Sequence, residues 1–169
     1  MSPEAVRPRA VLVGPPGSGK TTVGRLLADL WGVTTRDTDA DVETSEGRTV
    51  SDIFVDSGEA QFRALEREAV AKALATHDGV LALGGGAVLD PGTRELLAGQ
   101  PVVFLRVGLA DAVKRVGLGT GRPLLLGNVR SRIKVLLDER TPVYEEVATL
   151  VVDTDGRRPE DVAREIVEA

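Results

Sequence analysis

Residues 14–21 read GPPGSGKT, set between the apolar run RAVLVG and the segment KTTVGRLLADLWG. In that segment Val23, Leu26, Leu27 and Leu30 recur at the spacing of one helix face. A strand that ends on glycine and a helix that opens on lysine leave few folds available. Every fixed position of G-x-x-x-x-G-K-[ST] is met, in the strand–loop–helix context that a phosphate-binding loop requires. Gly14, Gly17 and Gly19 allow backbone N–H groups to approach phosphate oxygens, and the helix start adds partial positive charge. Lys20 supplies a point charge for β and γ phosphates, and Thr21 supplies a hydroxyl for Mg²⁺. The ATP-binding set expected at the loop is Gly14, Pro15, Pro16, Gly17, Ser18, Gly19, Lys20, Thr21 and Thr22.

The rest of the chain alternates short apolar runs with helical patterns. Strands are expected at 9–14, 33–39, 80–84, 101–107 and 149–154. Helices are expected at 20–32, 49–58, 59–75, 90–99, 109–117, 130–140 and 158–169. Asp90 and Pro91 mark one helix start as N-cap and N1, and Gly99 marks its stop. This alternation predicts a three-layer α/β domain over 1–169, with a five-stranded parallel sheet and helices on both faces. Residues 117–129, GLGTGRPLLLGNV, hold four glycines and a proline, the composition of a mobile loop over a site or of an ordinary surface loop.

Composition excludes several functions. A net charge of -5 opposes non-specific binding to nucleic acid or anionic membrane. With no cysteine and a single histidine, His77, neither a thiolate nor a histidine-rich metal site can form. The N-terminal residues lack the apolar run of a signal peptide, and no stretch approaches the length of a membrane span. The expected location is the cytoplasm.

The nucleotide loop needs a metal carboxylate, and the runs VLALG and PVVFLRV end without one. Asp37 and Asp39, in RDTD, are the carboxylates at a strand end. Asp37 is expected to hold Mg²⁺ through water and Asp39 to face an acceptor hydroxyl, although two aspartates in a turn also serve as Asx caps. Three Phe, one Tyr and one Trp are few aromatics for stacking a nucleobase acceptor. Arg63, in FRALE, and Arg140, in DERTPVYEE, suit a carboxylate, while Arg63 has Glu66 and Glu59 in reach on its own helix. Gly84, Gly85 and Gly86 leave the third strand where open α/β sheets bind ligands. Their backbone can wall an acceptor pocket or make a plain tight turn. They do not form the G-x-G-x-x-G of a dinucleotide site.

Taken together, GPPGSGKT, DTD, FRALE, LGGGAV, RPLL and ERTPVYEEVA resemble the shikimate kinase family in order and spacing, from about Val11 to the last helix. The resemblance implies a nucleoside-monophosphate-kinase-like fold with strand order 2-3-1-4-5. It implies ATP- and Mg²⁺-dependent phosphorylation of the shikimate 3-hydroxyl in aromatic amino-acid biosynthesis, by a monomer. Carried over by motif, Lys20 contacts phosphate, and Thr21 and Asp37 serve the metal. Asp39 holds the reacting hydroxyl, and Arg63, Arg140, Gly84, Gly85 and Gly86 bind shikimate. Arg122, in RPLL, closes onto the transferring phosphoryl group from a lid at about 115–127, and a helical region at about 38–66 carries shikimate. Arg115, and Arg157 with Pro159 in DGRRP, match adenine-flanking positions. A gluconate-type kinase and a non-catalytic nucleotide-binding module are the alternative readings.

Overall fold

The computed structural model describes residues 6–120 and 126–169, with the backbone alone for 116–120 and 126–128. Arg122, with residues 121–125 of the expected lid, therefore lies outside the described residues. The elements are β1 (Ala10–Val13), α1 (Lys20–Trp31), β2 (Thr35–Asp37), α2 (Thr38–Glu46), α3 (Val50–Thr76) and β3 (Val80–Ala82). A 3₁₀ turn (Ala87–Leu89) leads to α4 (Pro91–Leu97), β4 (Val102–Arg106), α5 (Leu109–Thr120), α6 (Leu126–Val147), β5 (Leu150–Asp153) and α7 (Pro159–Glu168).

The five strands form one sheet in the order β2-β3-β1-β4-β5. Every pairing is parallel; Val11, for instance, lies opposite Leu81 on one side and Val102 on the other. The central strands are apolar along their whole length because both of their faces are covered. Val11, Val13, Leu81, Phe104 and Tyr144 pack into one core with α3, α4 and α6. Ala10, Leu12, Leu27, Val152 and Ile166 form the opposite core with α1 and α7. The connections leaving β1 and β3 thus depart to opposite faces, and a crevice opens between their carboxyl ends.

The expected strands and their order are observed, with three differences among the helices. Residues 38–46 form α2, inside the helical region of about 38–66 that the resemblance implied but outside the helices expected from periodicity. Its sequence, TDADVETSE, buries only Thr38 and Val42, so no apolar stripe announces it. It is set by its ends: the Asp37 side chain accepts from Asp39 N at 2.8 Å, and Gly47 closes it in the left-handed region. The helices expected at 49–58 and 59–75 are two segments of α3, joined at Gly58 with φ 84°. Finally, α6 continues past residue 140 through Pro142 to Val147. Pro142 lacks a backbone donor, and the helix carries it in its interior. Among the described residues no helix is long and apolar enough to cross a membrane.

Candidate active site

The carboxyl end of β1 passes into the glycine loop and then into α1. Gly17 and Gly19 take φ of 80° and 97°, values that a side chain resists. No side chain caps α1, whereas Asp37, Thr49 and Asp90 cap α2, α3 and α4. The first N–H groups of α1 are left for an anion. Lys20 folds back on the loop and donates to the carbonyls of Gly14 (2.6 Å) and Pro15 (3.1 Å). Burial lowers its pKa to about 8, against the opposing pull of Asp37 and Asp39 and with the help of Arg140. These causes place three expected site residues around one ammonium group.

Thr21 and Asp37 line the same cleft of about 150 Å³ beside Lys20, with Arg25 and Arg36 also on its walls. A hydroxyl and a carboxylate are hard oxygen donors, as Mg²⁺ requires, and Asp37 is exposed enough to act through water. Among the described residues no three His, Cys, Asp or Glu side chains converge. That fits an ion that keeps most of its shell as water and phosphate. The capping and metal readings of Asp37 are compatible, because the cap engages only Oδ1.

Asp39 points from the first turn of α2 toward the crevice. Its Oδ1 is buried with no hydrogen-bond partner among the described residues. Burial raises its pKa, and the neighbouring Asp37 raises it further. Arg63, on α3, pairs with Glu66 at 2.7 Å and more loosely with Glu59 at 3.6 Å. Glu66 is 1% exposed, so the pair is part of the interior and not the helix-surface contact that spacing suggests. The guanidinium also lies 5.3 Å from the Phe62 ring and 5.7 Å from that of Phe54. Its orientation is thereby fixed before any ligand arrives.

The three glycines after β3 meet these groups one by one. None of them has φ in the left-handed region, so the reason for glycine is space. A Cβ on Gly84 would lie 2.5 Å from Asp39 Oδ1. One on Gly85 would lie 3.3 Å from Pro16 Cδ in the nucleotide loop and 3.5 Å from Arg140 Nη1. One on Gly86 would collide with the Arg63 guanidinium. The tripeptide is thus a backbone wall shared by the nucleotide loop, the carboxylate of α2 and the arginines of α3 and α6.

On the far side, Arg115 donates to the carbonyls of Gly17 (2.9 Å) and Thr154 (3.2 Å), tying the nucleotide loop to the turn after β5. Arg157 is engaged by the Asp153 carbonyl and by Glu165 Oε1, both at 2.9 Å. Arg158 is exposed and lies 3.5 Å from Glu160. Two contributors had no assigned role in the sequence. Glu66 has the spacing of an ordinary helix-surface partner, and only its burial distinguishes it. Tyr144 stands four residues after Arg140, a helical spacing hidden by Pro142.

A phosphate loop and a preset carboxylate–arginine pocket on a 2-3-1-4-5 sheet define a P-loop kinase acting on a small molecule. The shikimate kinase family model matches residues 16–169, and the chain belongs to that family. It is 64% identical over 159 residues to a shikimate kinase of Salinispora arenicola, covering 94% of this chain and 95% of that one. It is 62% identical over 157 residues to a shikimate kinase of Thermobifida fusca, covering 93% and 91%. Among solved structures, the shikimate kinase of Acinetobacter baumannii in complex with shikimate superposes with a TM-score of 0.86 at 36% identity, covering 96% and 92%.

Two predictions come from this geometry. G84A displaces Asp39, so kcat falls roughly 100-fold, the scale of a misplaced reacting group. G86A displaces Arg63, so the acceptor KM rises while the ATP KM stays within about twofold. Steady-state kinetics of the two variants checks both, and interchangeable effects would contradict the assignment.

Glu66 gives a third. Burial pushes its pKa up to about 6 despite the pull of Arg63. The folded state then holds this proton longer than the unfolded chain does. The associated stability is present below pH 4.5 and is lost as pH rises through about 6. Relative to E66Q, the wild type should lose about 2 kcal/mol between pH 4.5 and 7. Urea unfolding of both proteins across that range measures it, and parallel pH curves would refute it.

Proposed function

We propose that this chain transfers the γ-phosphoryl group of ATP to the 3-hydroxyl of shikimate, giving shikimate 3-phosphate and ADP. The observation that carries the reading is the shared wall: Gly85 stands between Pro16 of the nucleotide loop and Arg140 of the acceptor pocket. A donor on one side and a carboxylate acceptor on the other would be held within transfer distance.

Arg63 and Arg140 grip the shikimate carboxylate, and the Gly84–Gly86 backbone supports its ring. Asp39, which lies against Gly84, faces the 3-hydroxyl and accepts its proton as the oxygen attacks the γ-phosphorus. The bond from that phosphorus to the bridging oxygen breaks, and ADP leaves with the electron pair. Lys20 gives up its loop carbonyls and turns to the β and γ phosphates, where it offsets the shifting charge. Mg²⁺, held at Thr21 and Asp37, would neutralise charge on the same oxygens. Arg115 fixes the loop on the adenine side. Arg122 adds a planar fork to the phosphoryl group when a lid at about 115–127 closes, and the region 38–66 carries the acceptor. One chain supplies every group in this scheme, which supports a monomer, and a need for ATP supports the cytoplasm.

ADP release is measured with ATP, Mg²⁺ and shikimate, with gluconate in its place, and with no acceptor. Release should depend on shikimate. Release that is equal with gluconate, or independent of any acceptor, would refute the proposal. In the same assay R63A and R140A should each raise the shikimate KM about 10–150-fold, the value of a charge-assisted contact, with little change in the ATP KM. Equal damage to both KM values would assign these arginines to the fold or the nucleotide.

A further inference from the structure

Tyr144 is the only tyrosine in the chain and is completely buried. Its ring packs on Phe104, with centroids 4.9 Å apart, in the core beneath the sheet. For packing alone a phenylalanine would serve there, since a buried hydroxyl must find a partner to offset its lost hydration. The partner is specific: Tyr144 donates to the carbonyl of Gly85, the middle residue of the glycine wall. Arg140 sits one turn earlier on the same face of α6. Burial raises the pKa of the Tyr144 hydroxyl, and the adjacent Arg140 guanidinium, with a smaller part from Arg63, pulls it back. The phenol oxygen meets the wall at the Gly85 carbonyl, and Arg140, one turn back on the same helix, places Nη1 3.5 Å from the Cβ position of that same glycine.

The 3₁₀ turn ties the flanking glycines, with Ala87 N donating to Gly84 O and Leu89 N to Gly86 O, each at 3.1 Å, and leaves the Gly85 carbonyl to Tyr144. Pro142 lies between Arg140 and Tyr144 and removes one of the backbone hydrogen bonds that would hold this turn of α6. Gly85 has no side chain through which packing could fix it. At the neighbouring position, Gly84 N is 3.4 Å from Thr38 Oγ1, a weak tie.

We propose that Tyr144 is a positioning residue for the acceptor: its hydroxyl locks the Gly85 carbonyl and the Arg140 guanidinium into the one arrangement that receives the acceptor's carboxylate. The inference rests on the acceptor reading given above, and it assigns to this hydroxyl a share of shikimate affinity.

The test compares wild type, Y144F and F104L. Y144F keeps the ring and loses only the hydroxyl. F104L loosens the same core without touching the hydroxyl link. Wild-type turnover of shikimate comes first, because its failure would overturn the acceptor reading and not this inference. In Y144F the shikimate KM should rise about three- to tenfold, the range for one neutral hydrogen bond, with the ATP KM within twofold. F104L should lower the Tm while leaving the ratio of the two KM values unchanged. Y144F kinetics equal to wild type, or both KM values rising together, would overturn the proposal. The single tyrosine permits a second measurement that needs no substitution. With 3-fluorotyrosine incorporated throughout, the one ¹⁹F resonance reports on Tyr144. It should shift on saturation with shikimate in the absence of nucleotide, and an unmoved resonance would also overturn the proposal.

Discussion

The close approach of bare backbone at Gly84–Gly86 to three charged side chains is the contact on which the rest of the site depends. The parallel register of β1 and β3 brings the nucleotide loop and this tripeptide side by side. Asp39 from α2, Arg63 from α3 and Arg140 from α6 then close on the tripeptide from three directions. A single methyl group at position 84 would push aside Asp39, and one at position 86 would push aside Arg63. The helices around the sheet act as supports that bring these side chains to one wall.

Charge is managed by burial as much as by pairing. Lys20 is desolvated to a pKa of about 8, and Glu66 is pushed up to about 6 by the interior that also holds Arg63 rigid. An isolated buried pair of this kind contributes little to stability. Its effect here is orientation, because Glu66 and two phenylalanine rings hold the Arg63 guanidinium in one place. Asp39 is partly desolvated beside Asp37, and both effects raise its pKa.

The nucleotide half of this arrangement was legible in the sequence, because GPPGSGKT prescribes both a backbone path and a charge. The apolar strands and their layering were legible for the same reason, since continuous runs such as VLAL and VVFL can only be covered on both faces. The acceptor half was only partly legible. Helix α2 exists through its capping groups and not through an apolar face, so periodicity is silent about it. Pro142 disguises the continuation of α6 and, with it, the alignment of Tyr144 with Arg140. The partnership of Arg63 and Glu66 was visible as spacing, but its burial depends on packing that no local pattern encodes. For Gly84–Gly86 the sequence suggested a ligand-facing turn, and the structure adds that what each position lacks is room.

Side chains of the site, and not backbone conformation, demand glycine after β3. A double-mutant cycle between positions 86 and 63 tests it most directly, read by urea unfolding of R63A, G86A and the double variant beside wild type. If the Cβ at 86 is excluded by the Arg63 guanidinium, G86A should be costly in the wild-type background and nearly free once Arg63 is alanine. An equal cost of G86A in both backgrounds would contradict the account.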